Sequence, residues 1–444
     1  MDPAIARAQD ASDPATGQPD HTGRSLSAVL FGTFTLRLST GLTGALLTYH
    51  LAHFERVGGP RVDPGMIGVF AALFFAAELL MSPVFGVLSD RFGHHRMMQL
   101  GPLFGFVAVI ITGLSTLIPV LAGTRVLEGL STAASVPSIL GFIAMATAGD
   151  ELARGRAAAR FEGATLAGLG VGIVLAGVLI DLLGRNAFFL NAGIYGVSFL
   201  IYRYGVTFRE DVRAMRKADH GGLKRYLQIL RSSHVWLLAP TWIAINAALG
   251  LWTNQSLFQL TQKPSPEFAD QYLMGHFIPS EISIGLAAGL LVFFAGLVFW
   301  GNRFKRFRRT SIIFFGILGG FAVIAAVAVI NHSEGLPGIA RALPGAGVVG
   351  GLFVLAGATP AALGLLADVS EAYPKDRGAI MGLYSVFLAI GQISGSLLGG
   401  EAARLAGIDG LLLGTLLLLF IALVPLARLR EVEHLIGQPA VQAT

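Results

Sequence analysis

The sequence predicts an all-α polytopic membrane protein, with about twelve transmembrane helices in two pseudo-symmetric six-helix halves. Three observations carry that expectation. Apolar runs follow one another along the chain, each long enough to cross a hydrocarbon core of about 30 Å. Of 444 residues, 54% are hydrophobic and 13% charged, and the mean hydropathy is +0.67. A soluble domain carries about twice that charge. Finally, the arginines and lysines gather in the connections of one side.

The chain divides in order. Residues 1–24 are polar, rich in Asp, Pro, Gly and Ala, and lack the apolar centre of a signal peptide. They read as a disordered cytoplasmic tail. The first half, 25–206, holds spans at Leu26–Phe54, Met66–Phe85, Met97–Ile118, Val120–Ala148, Phe161–Leu183 and Ala187–Val206. A basic cytoplasmic linker occupies 207–234. The second half, 235–429, holds spans at Val235–Leu257, Ile282–Trp300, Ser311–Ile330, Gly345–Leu366, Gly378–Gly399 and Leu411–Ala427. Residues 430–444 form a second cytoplasmic tail. The 57 glycines suit close helix packing in lipid.

An even number of spans puts both termini on one side. That side collects 24 of the 32 Arg and Lys residues and the opposite side six, with Arg37 and Arg125 inside spans. The basic side is cytoplasmic. The net charge of +5 therefore marks membrane orientation and no nucleic-acid surface. With no cysteine, disulfides and thiolate chemistry are excluded. No Gly-x-x-x-x-Gly-Lys-Ser/Thr loop occurs, and no paired catalytic set suggests an enzyme. Neither a cofactor nor a metal site is expected.

Between spans two and three lies Gly86-Val-Leu-Ser-Asp-Arg-Phe-Gly-His-His-Arg96, read as a tight loop at the membrane face. Gly86 and Gly93 sit where the backbone turns or packs closely. Asp90 accepts hydrogen bonds or pairs with a cation, and Arg91 adds positive charge. The pattern Gly-x-Leu-Ser-Asp-Arg-Phe-Gly followed by basic residues resembles the loop between helices two and three of major facilitator superfamily transporters. The second half echoes it in degenerate form at Gly296 to Arg309, with Trp300-Gly301-Asn302 where an acid often sits. Asp150 and Arg160-Phe-Glu-Gly163 likewise correspond to Asp368 and Asp376-Arg377-Gly378. The resemblance thus covers about Ser25 to Leu429. It implies alternating access in a bacterial inner membrane, with a cytoplasmic gate at Gly86, Asp90, Arg91, Gly93, Asp376 and Arg377.

Charges inside spans are costly and rarely idle. Glu78 lies twelve residues before Asp90, about 18 Å along a helix. Arg37 lies at similar depth on span one, so the two should pair. Arg125 and Glu128 are three apart on one face of span four. Two readings of these four charges stand side by side. They are a static neutral network, or one carboxylate leaves its cation and carries a proton, with Glu78 the first choice. The resemblance supports the second reading through Arg125-Val-Leu-Glu-Gly129, since an arginine at this position is implicated in proton movement in coupled relatives. Span five matches the glycine-rich antiporter signature only in part. Gly168-x-Gly170-x-Gly172 is present, but Ile173 replaces the proline and Ala176-Gly177 the glycine pair.

The second half offers neutral groups for the substrate cavity: Trp242, Asn246, Thr359, Tyr384 and Gln392. Trp242 and Asn246 share a helical face that suits an amphipathic ligand, and Pro360 should break span ten. Together these features predict a monomeric secondary transporter exporting small apolar or amphipathic compounds against protons, in contact with lipid. The alternatives are a proton-coupled importer of a small metabolite, and a transporter-like protein serving in assembly or in pigment and lipid handling.

Overall fold

The computed structural model describes residues 19–148, 150–206, 235–263, 266–304, 306–335, 337, 341–371 and 377–433. Apolar length dictates helices, and no strand occurs among the described residues. The first half comprises α1 (Pro19–Ala52), α2 (Pro64–Phe92), α3 (His94–Leu114), α4 (Ile118–Ala146), α5 (Glu151–Leu183) and α6 (Asn186–Gly205). The second comprises α7 (Val235–Thr253), the short α8 (Gln255–Thr261), α9 (Pro279–Gly301), α10 (Arg309–Asn331), α11 (Ala342–Leu355), α12 (Ala358–Glu371) and α13 (Arg377–Val432). Eight described segments are long and apolar enough to cross a membrane by length and composition. One of these joins α11 to α12, and another holds both legs of α13. The linker 207–234 and the tails at 1–18 and 434–444 lie outside the described residues.

Four boundaries differ from the sequence reading, each for a local reason. The stretch from Gly86 is no loop: α2 continues through Phe92, because nothing between Val87 and Phe92 breaks a helix. Only Gly93 interrupts it, with φ 95° and ψ 136°, a conformation reserved for glycine. At the other end of the chain α1 starts at Pro19, ahead of the expected tail boundary. The helix of span five starts ten residues early at Glu151, where the Asp150 carboxylate accepts from the Ala153 N–H at 2.8 Å and an alanine-rich turn follows. Span ten is two helices, α11 and α12, parted at Ala356 and Gly357, just ahead of Pro360. A Cβ at Gly357 would lie 2.7 Å from the Trp300 ring, so the break is packed against α9.

Helix α13 holds spans eleven and twelve, separated by non-helical Ala406 and Gly407 (φ 60°). Both legs pack on α7. Going up α7, Ile243, Ala247 and Leu251 meet Gly391, Gly395 and Gly399 of the first leg in parallel order. Thr241 donates to the Ala422 carbonyl and Trp252 to Thr415 of the second leg, which therefore runs back. Trp252 is thus bonded inward, to the second leg of α13.

Two cores follow the two halves. One is built from Leu238 to Leu429 alone. The other runs from Val29 to Val206 and takes Leu257 and Ile282 from beyond the linker, with Leu260, Phe277 and Leu286 packed against it. The halves meet where α13 lies on α2 and α9 on α5. Three hydrogen bonds between them lie at the end bearing the 53–63 and 184–185 connections, here termed the distal face. Thr48 donates to Asn254 (3.4 Å), Gln255 to the Pro64 carbonyl (2.7 Å), and the Ser280 N–H to Asp181 (2.8 Å). Gly65 and Gly68 meet Gly400 and Ser396 backbone to backbone there. The long 255–279 segment packs over this junction, with the Phe277 N–H donating to the Leu260 carbonyl and Gln271 bonded to Ala406 and Ile408.

Candidate functional site

The charged side chains of the first half form two layers. Arg125 and Glu128 make a direct ion pair on α4. Both are buried, at 6% and 1% exposure, as the i, i+3 spacing requires. The Arg125 guanidinium also lies 5.0 Å from the Phe74 ring centroid, and its Nε donates to the Phe70 carbonyl at 3.5 Å. One Glu128 oxygen, Oε1, has no hydrogen-bond partner. The pair is therefore held on three sides by α2 and α4.

Arg37 behaves differently, and the expected Arg37–Glu78 ion pair is not formed. Arg37 Nη1 donates to Thr132 Oγ1 at 3.3 Å, seven residues along α4 from Arg125 and so about 10 Å away in height. Its charge acts on two carboxylates at once, Glu78 of α2 and Glu162 of α5. Geometry explains the sharing. Gly129 lets α2 come down on α4 at Phe74 to Glu78, and Gly168 lets α5 come down on α1 at Phe34 to Leu38. Arg37 is left between the two acids. Both are half-buried.

Glu162 is the residue that sequence reasoning missed, because with span five taken to begin at Phe161 it stood at the membrane edge rather than within the span. Asp150 as a helix cap, followed by alanines, is the signal that places it inside. Its charge also reaches Tyr384 of α13. Tyr384 stacks on Trp242 with ring centroids 5.2 Å apart and planes 29° apart, which brings together two of the five proposed cavity residues. Asn246 sits one turn along α7 and bonds the Trp242 carbonyl at 2.8 Å, with Gly391 against its Cβ. Gln392 accepts from Thr253 at 3.3 Å, farther up the same helix pair. Thr359, half-buried at the start of α12, shares no hydrogen bond with the others among the described residues.

At the opposite end from the seal, Asp90 lies 3.8 Å from His94 across Gly93, and His94 is buried over Gly141. Asp376 lies outside the described residues, as does the side chain of Arg377. In the second half Arg309 pairs with Asp368, joining α10 to α12, with Nη2 to Oδ1 at 2.8 Å.

Comparison with known proteins adds the following. A family model described as Major Facilitator Superfamily matches residues 29–269 and 264–442. Multidrug resistance protein 1 of Bacillus subtilis (strain 168) is 26% identical over 335 residues, spanning 75% of this chain and 79% of that protein. Quinolone resistance protein NorA of Staphylococcus aureus (strain MSSA476) is 21% identical over 313 residues, covering 69% and 74%. Among solved structures, the nucleoside transporter NupG superposes with a TM-score of 0.67 over 91% of this chain and 98% of its own, at 14% identity. That last likeness concerns the fold.

Proposed function

The chain belongs to the Major Facilitator Superfamily, and from that premise we propose that it is a proton-coupled exporter of small apolar or amphipathic compounds. One observation carries this reading: a single cation, Arg37, is shared by two half-buried carboxylates on different helices, Glu78 and Glu162. Counting the layer above, three carboxylates face two guanidinium groups. Isolated buried charge is strongly disfavoured. The first half is therefore neutral when one carboxylate holds a proton, and Glu78 or Glu162 is the group able to give it up. The stacked Trp242 and Tyr384 provide a flat apolar wall for the substrate, with Asn246 to orient it, and Glu162 lies within electrostatic reach of that wall. Substrate and proton thereby compete for the same surroundings. The multidrug and quinolone resistance names of the relatives agree with this choice.

In this reading the protein is a monomer of about twelve spans in the bacterial inner membrane with cytoplasmic termini. The sealed distal face makes the structure the state closed to the outside. Gly86, Asp90, Arg91 and Gly93 with Asp376 and Arg377 form the gate that closes the other end. A second reading, import of a small anionic metabolite with protons, draws on Arg37, because Arg125 is fully engaged. Everted vesicles decide between them. Exporter vesicles accumulate a labelled lipophilic dye when acidified inside, and collapse of the gradient releases it. An importer loses its solute under the same gradient.

A further inference from the structure

We propose that the distal face carries a second binding pocket, one that takes a phosphate-headed amphiphile. A cavity of about 580 Å³ opens there between the end of α1, the end of α5 and the 255–279 segment. That size belongs to sites for small organic molecules. Three polar atoms of its wall residues have no partner in the protein: the Tyr49 hydroxyl, His50 Nε2 and Arg185 Nε. Tyr49 is 1% exposed and His50 6%. Leaving such an atom buried and unpaired is unfavourable, and three on residues of one wall fit a ligand that satisfies them together.

The charges decide the sign of that ligand. Arg56, Arg185 and Lys263 line the cavity against one carboxylate, Asp181, which is already occupied by the Ser280 N–H at 2.8 Å. Arg185 is anchored by donating from Nη2 to the Gly113 carbonyl at 2.8 Å. A phenol, an imidazole and a guanidinium all donate to phosphate oxygens, and charge-assisted bonds of this kind are the strong ones. Phe277 and Ile278 supply an apolar side for the remainder of the molecule. The pocket is distinct from the Arg37 and Arg125 layers, and the inference does not depend on the direction of transport. Phosphate joined to an apolar chain occurs both in anionic lipids and in free phosphate monoesters, so the test separates them.

The full chain is placed in nanodiscs of zwitterionic phosphatidylcholine, and its melting temperature is followed in two arms. One adds phosphatidylglycerol to the bilayer, and the other adds soluble octyl phosphate, with octyltrimethylammonium as the control of opposite charge. A rise in the first arm alone identifies a lipid, and a rise with octyl phosphate identifies a free ligand. Tyr49→Phe removes a hydroxyl with no protein partner, so the unliganded melting point should stay unchanged while half-saturation moves up roughly tenfold. Arg56→Gln with Lys263→Gln, both at exposed positions, should do the same. The proposal is overturned if neither arm raises the melting temperature, if octyltrimethylammonium raises it equally, or if the variants respond as the parent does.

Discussion

Five charged residues carry different duties in the first half, and substitution separates them. Glu128→Gln strands a buried guanidinium, which should cost about 3–5 kcal/mol of stability and show as a large fall in melting temperature. Replacing the pair together, Arg125→Met with Glu128→Leu, should recover most of that loss. Glu78→Gln and Glu162→Gln should instead stay folded, because Arg37 keeps the other acid and Thr132. Each should abolish dye uptake driven by a pH gradient while leaving exchange of bound substrate. Full gradient-driven uptake in the Glu78→Gln, Glu162→Gln double variant would refute the coupling role. The tight pair was legible in the sequence because both members lie on one helix, three residues apart. Partners on separate helices depend on which glycines let backbones touch, and spacing along the chain does not reveal that. Hence Arg37 was assigned to Glu78 alone, and Glu162 escaped notice.

Helix bodies are set by apolar length and were readable over most of the described residues, whereas their ends follow single residues whose effect is local. Gly93 is the clearest case, since α2 and α3 are continuous but for its backbone angles. Gly93→Ala should cost about 1–3 kcal/mol, measured as a lower unfolding midpoint, whereas Gly163→Ala, with open space around it, should cost little. Gly391 tests packing between elements, because a Cβ there would sit 2.6 Å from that of Asn246. Gly391→Leu should push α13 off α7 and destabilise by at least about 1–3 kcal/mol. Thermal unfolding that leaves this variant unchanged would contradict the close approach. The division of span ten shows the same rule from the other side. Pro360 announced a break, but its position was decided three residues earlier, where Gly357 is pressed on Trp300.

Seen as a whole, the described residues build two cores that are hydrogen-bonded to each other at the distal end, and the internal repeat of the sequence already pointed to two halves. Nothing in the sequence revealed which end would be joined, because the seal is made by Thr48, Pro64, Asn254 and Gln255, residues with no pattern in common. If alternating access is the mechanism, tying those residues together should stop it. The chain has no cysteine of its own, so Thr48→Cys with Asn254→Cys can be bridged by a bifunctional thiol reagent without side reactions. Bridging should halt transport and cleavage of the reagent should restore it. Undiminished transport in the bridged protein would exclude opening at this face. The seam beside those bonds has a mechanical consequence. Where Gly65 and Gly68 bear on Gly400 and Ser396, main chain lies on main chain, but beside that seam Leu257 and Phe258 are seated in apolar clusters of the first half and must be withdrawn for the two bodies to part. Such a joint is a latch on a smooth rail: the glycine seam lets the backbones slide, while the apolar surface uncovered by Leu257 and Phe258 favours its closing again.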